Sequence, residues 1–176
     1  LPSLGGLWRR QPDGTPAARA TPRRRARLAG RGAAGPRGVS RDRVIGLLWA
    51  EAEAERARHN LAQLLYSMRQ EFGGSPPVVG TTELRLDPDR LVADVAEFDA
   101  AVDAGDDERA AQLYEGPFLD GFYLSGAPEL ERWIEDERTR LAGRAHGAME
   151  RVARAAAARG DHGDAVAAWQ RLALLD

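Results

Sequence analysis

The chain has 176 residues, 43% of them apolar and 30% charged, and its 25 basic and 27 acidic side chains leave a formal net charge of −2. That length accommodates one large or two small domains. Cysteine is absent, which excludes disulfides, thiolate metal sites and thiol catalysis; no apolar run approaches the roughly 18 to 20 residues of a membrane span; and Pro2 and Gly5-Gly6 interrupt any signal-peptide core, so a soluble cytoplasmic protein is expected.

Leu4 to Trp8 reads as a short strand, closed by the turn Pro12-Asp13-Gly14-Thr15-Pro16. Thr21-Pro22 supplies an N-cap and a first-turn proline, but the helix it opens, Arg23 to Ala34, is poor. Gly30 and Gly32 cost about 1 kcal/mol each relative to Ala, and Arg27 and Arg31 interrupt its apolar stripe. Gly35-Pro36-Arg37-Gly38 ends it. Ser40 caps the next helix, with Val44, Leu47 and Leu48 at core spacing and Arg41 and Arg43 outside.

A longer helix is predicted from Glu53 to Phe72. Leu61, Leu65, Met68 and Phe72 fall at i, i+4, i+7 and i+11, within about 60° of arc at 100° per residue. Opposite them lie Arg56, His59, Gln63, Tyr66 and Gln70, with Asn60 and Ser67 on one flank and Arg69 on the other. Gly73-Gly74 supplies a C-cap and Pro76-Pro77 prevents continuation. Val78 to Thr81 and Glu83 to Leu86 then read as two strands around a tight turn, Leu84 and Leu86 facing inward and Arg85 outward by alternation. Asp87-Pro88-Asp89 is the next turn. The domain boundary falls near Leu91, giving domains 1–90 and 91–176.

After the boundary the periodicity is helical. Val95, Phe98, Ala101 and Val102 form one stripe, broken at Gly105-Asp106; a second runs from Asp107 to Tyr114 and ends at Gly116-Pro117. Pro128 opens a long helix that buries Leu130, Trp133, Ile134 and Leu141 and stops at Gly160-Asp161. The last helix contributes Ala165, Ala168, Trp169, Leu172 and Leu175. From Ala155 to Asp176 the spacing resembles a tetratricopeptide repeat crossing between its two helices. Helical arrays need a neighbour or a polar cap over the terminal helix, so the expectation is an incomplete array, either a fragment of a longer protein or a chain completed by another subunit.

The near-neutral total hides two opposed halves. Residues 1–90 hold 16 Arg and 9 acids, a net of +7, whereas residues 91–176 hold 9 Arg and 18 acids, a net of −9. Such asymmetry points to a nucleic-acid-facing end. Every basic residue is Arg, which GC-rich coding explains, so only the placement of charge carries information. Enzyme chemistry finds no support. His59, His146 and His162 lack metal-ligand spacing, the carboxylates of the second half pair with Arg one turn away, as Glu135 can with Arg138, and no glycine-rich phosphate loop follows a strand. No cofactor or metal is expected.

These residues in order are familiar. Val39 to Trp49, Glu55 to Leu61, Leu64 to Arg69 and Leu84-Arg85-Leu86 resemble the winged-helix head of SARP-type bacterial transcription factors. Asp94 to Phe98, Leu113 to Leu119 and Glu131-Arg132-Trp133 resemble the bacterial transcriptional activator domain that follows that head. The resemblance covers about Val39 to Asp176. It implies a mainly α fold with a small β component: an OmpR-like winged helix-turn-helix, the effector fold of phosphorelay regulators, followed by a truncated all-α TPR-like domain. The implied function is sequence-specific regulation of transcription, often of secondary metabolism. The implied partners are direct repeats in double-stranded promoter DNA, RNA polymerase and a second copy in a homodimer, with no membrane.

On that reading Arg56, His59, Gln63, Tyr66 and Ser67 face DNA, Gln63 reading adenine and Arg56 guanine at roughly 1 to 3 kcal/mol of discrimination each. Arg41, Arg43, Arg58, Arg69 and Arg85 contact phosphates, which position without reading sequence. Glu83 at the wing tip opposes phosphate. The alternative is a TPR-like protein-interaction module whose winged helix no longer binds DNA.

Overall fold

In a computed structural model of the chain, the residues described are Leu4, 7–10, 16–19, 38–71, Gly74, Pro76, 78–87, Asp89, 91–122 and 126–174. The fold is mainly helical with a small β component. It divides into two compact units. A sheet-bearing unit holds Gly5–Ala96 and Gly121–Trp133; a helical unit holds Leu1–Leu4, Glu97–Asp120 and Ile134–Asp176.

The sheet-bearing unit contains strands β1 (Leu7–Arg10), β2 (Pro16–Arg19) and β3 (Val39–Ser40), helices α1 (Arg41–Trp49) and α2 (Ala54–Glu71), and strands β4 (Val78–Val79), β5 (Glu83–Leu86) and β6 (Leu91–Ala93). The first strand begins at Leu7 rather than at Leu4, and Pro16 opens β2. The rest of the predicted turn after Gln11 and the predicted helix from Arg23 to Ala34 lie outside the described residues. One three-stranded sheet has the order β2-β1-β6, all antiparallel, with Leu7 opposite Ala93. Leu91–Ala93 reads in the sequence only as a boundary, because three residues are too few for alternation to show.

The second sheet has the order β3-β5-β4. Val78 lies opposite Leu86, which forms the predicted hairpin, and Val39 opposite Leu84 adds a strand that periodicity does not reveal. Leu84 is buried, Arg85 exposed and Leu86 half-buried, as alternation requires. Two glycines make this sheet feasible. At Gly80 (φ +101°) an added Cβ would lie 1.9 Å from the carbonyl oxygen of Glu83. At Gly38 (φ +80°) it would lie 2.6 Å from Arg85 Cγ and 2.9 Å from Leu84 O. No L side chain fits either place.

Ser40 ends β3 and caps α1, its Oγ accepting a hydrogen bond from Arg43 N–H at 3.3 Å. Val44 and Leu48 are buried on α1 and Leu47 is half-buried. On α2 the buried stripe is Ala57, Leu61, Leu64 and Met68. Leu65 is only half-buried, and Phe72 lies outside the described residues. The small Ala57 extends the apolar line one turn earlier, which rotates the buried face by about 40° and brings in Leu64.

The helical unit is built from α3 (Asp94–Ala104, counted here from Glu97), α4 (Asp107–Leu113), α5 (Pro128–Arg159, from Ile134) and α6 (His162–Ala173). Phe98 and Phe118 are fully buried, and the rings of Phe98 and Tyr114 lie 5.8 Å apart. Along α5, Ile134 and Leu141 are buried as predicted, followed by Ala145, Ala148, Met149, Ala153 and Ala156. Trp133 is half-buried, in the sheet-bearing unit. Ala165 and Leu172 are the buried residues of α6, whereas Trp169 stays 40% exposed. Leu4 belongs to this unit. It is 1% exposed, donates its N–H to Gly116 O at 3.4 Å and accepts from Leu119 N–H at 2.8 Å.

Candidate nucleic-acid interface

Helix α2 presents the densest set of the predicted site residues. Arg56, Arg58, His59, Gln63, Tyr66 and Arg69 are exposed, and Ser67 is half-buried. The α1–α2 turn is closed by Ala52 N–H donating to Trp49 O at 3.0 Å, and the buried Ala57–Met68 stripe fixes which side looks outward. The remaining predicted residues sit on other elements of the same unit: Arg41 and Arg43 open α1, and Arg85 lies on β5.

Some of these groups are free and others are committed within the fold. Arg41 is half-buried; its backbone N–H donates to Thr82 O at 3.2 Å and its Nη1 to Thr81 O at 3.5 Å. It fastens the start of α1 to the hairpin tip. Arg69 Nε donates to Gly74 O at 2.7 Å and closes the end of α2. Ser67 Oγ donates to Gln63 O at 2.8 Å, the local back-bonding typical of a helical serine. These three have structural duties that their sequence positions do not advertise. For Arg41 the partners lie 40 residues away, beyond any local signal.

Arg43, Arg56, Arg58 and Arg85 are exposed and make no ion pair among the described residues. The second half of the chain differs. Every arginine from Arg109 onward has a partner. Arg132 pairs with Glu129, Arg138 with Glu135, Arg154 with Glu150 and Arg159 with Asp161. Across elements, Arg109 pairs with Glu97, Arg151 is bidentate to Asp107, and Arg171 donates to Tyr114 O at 3.1 Å. Asp99 is the hub between α3 and α5: it receives both Nη groups of Arg140 at 3.1 Å and a hydrogen bond from Arg144, which also binds Asp103.

Burial opposes the charge on Arg140, but hydrogen bonds to Asp99 and Glu137 outweigh it and hold the guanidinium pKa above its usual value. On Arg151 the hydrogen bond to Asp107 dominates and also raises it. Arginines of the second half other than Arg171 are thus paired with carboxylates within the fold, whereas Arg43, Arg56, Arg58 and Arg85 are left to attract anions from solution.

Among the described residues, no group of three or more His, Asp or Glu side chains is placed to hold a metal ion. Nor is any helix long and apolar enough to cross a membrane. A comparison with curated proteins finds no match. The model of one family, the bacterial transcriptional activator domain, matches residues 86–176, just over half of the chain. An α-helical second half with internally paired charge is the part that this match spans, and the chain belongs to the bacterial transcriptional activator domain family.

Proposed function

We propose that the chain is a sequence-specific DNA-binding regulator, an activator in which β3 to β5 with α1 and α2 form a winged helix-turn-helix and the following helices form a TPR-like activator domain. The head binds direct repeats in promoter DNA, and the acidic body serves dimer and RNA polymerase contacts. The observation that carries this reading is that Arg43, Arg56, Arg58 and Arg85 are exposed and make no ion pair among the described residues, whereas every arginine from Arg109 onward has a partner within the fold. A helix of about 10 to 12 Å diameter suits a major groove about 12 Å wide. Family membership supports the activator role.

The test is a gel-shift titration of the intact chain against salt. Five or six phosphate contacts give a slope of log affinity on log salt of roughly −5. A flat response overturns the reading. In cells, reversing the charge of Arg56 and Arg58 together abolishes promoter occupancy; unchanged occupancy would instead favour a pure protein-interaction module.

A further inference from the structure

The outer side of α2 has a cross-section that folding alone does not require. Ala57, Leu61, Leu64 and Met68 are buried at i, i+4, i+7 and i+11. The same pattern displaced by two residues, about 200° around the helix, picks out His59, Gln63, Tyr66 and Gln70, all exposed. This crest holds no Arg, Asp or Glu. Cations flank it on both sides, Arg56 on one and Arg58 with Arg69 on the other. The neighbouring acid, Glu55, lies in the first turn of the helix, where the macrodipole favours it. A crest rich in hydrogen-bonding groups between two cationic flanks matches a groove whose floor is base edges and whose walls are phosphates.

We infer that the crest of α2, and not its arginines, selects the DNA sequence, with Gln63 and Gln70 each pairing to an adenine in the major groove. This rests on the DNA-binding reading above. A carboxamide offers a donor and an acceptor in one plane, which match adenine N7 and its N6 amino group. The side-chain amides of Gln63 and Gln70 make no intramolecular hydrogen bond among the described residues. Seven residues of helix separate them by about 10 Å, or about three base-pair steps at about 3.4 Å each. Tyr66 stands between them, 61% exposed, where its ring can meet a thymine methyl. Arg56 moves from guanine reading to a phosphate wall.

Selection of bound duplexes from a random pool, followed by salt titration of variants, tests this. The selected sites share two adenines about three base pairs apart. Gln63→Ala and Gln70→Ala each lose preference at one adenine by about tenfold or more and keep the wild-type salt slope. Both substitutions are on an exposed helix face, where Ala is well tolerated. Arg58→Ala weakens every sequence alike and lowers the slope by about 0.9. Selected guanines whose preference vanishes in Arg56→Ala, or glutamine variants that retain full preference, overturn the inference and leave DNA binding standing. A flat salt response overturns both.

Discussion

At the scale of single residues, identical amino acids do different work according to what their side chains meet. Gly80 and Gly38 are fixed by contact: an added Cβ at Gly80 would collide with a backbone oxygen. Gly80→Ala therefore destabilises the sheet-bearing unit by about 2 kcal/mol or more, read as a lower urea midpoint. Ser40→Ala loses the α1 cap and costs about 1 kcal/mol in the same measurement. Arg43→Ala removes an exposed, unpaired cation and shifts stability by less than about 0.5 kcal/mol, while on the proposed function it weakens DNA binding. The cap at Ser40 is legible in the sequence because capping is local. The duties of Arg41 and Arg69 are not, since neither partner is specified by helical spacing.

At the scale of elements, periodicity finds the helices but not their final rotation. The expected stripe on α2 and the buried one share Leu61 and Met68 and differ by about 40°; the difference comes from Ala57, whose small side chain looks uninformative until it packs. Strands of two or three residues, such as β3 and β6, become visible only through their pairing. Between helices, the Asp99 hub joins α3 to α5 through two arginines. Asp99→Ala leaves Arg140 and Arg144 without their shared acceptor. The expected loss is about 1–2 kcal/mol in urea unfolding, below the 3–5 kcal/mol of a fully buried pair, because a quarter or more of each side chain meets water.

At the scale of the whole molecule, chain order and compact units do not coincide. Leu4 belongs with the helical unit, hydrogen-bonded through its backbone to Gly116 and Leu119. Leu4→Ala thus destabilises that unit by about 2–5 kcal/mol, with loss of helical signal as the readout; an unchanged midpoint would mean that Leu4 is dispensable. Alkaline pH acts on the same unit. Burial pushes the Tyr114 phenol above its usual 10.0, so the folded state favours the neutral form. That contribution is intact below pH 10.0 and is lost as pH rises through the higher folded value. Tyr114→Phe keeps the ring beside Phe98, matches the wild type at neutral pH and resists base better. Without Lys or Cys, few other side chains titrate in that range.

The sequence by itself determined the helices from Arg41 onward, the hairpin, the opposed charge of the two halves and the resemblance that the family match to residues 86–176 supports in its activator part, because caps, periodicity and composition act over a few residues. Only the tertiary structure decided which cations are spent within the fold and which stay free, and which residue of α2 turns inward. Those outcomes depend on partners tens of residues apart, and proximity in space is a property that chain spacing does not encode.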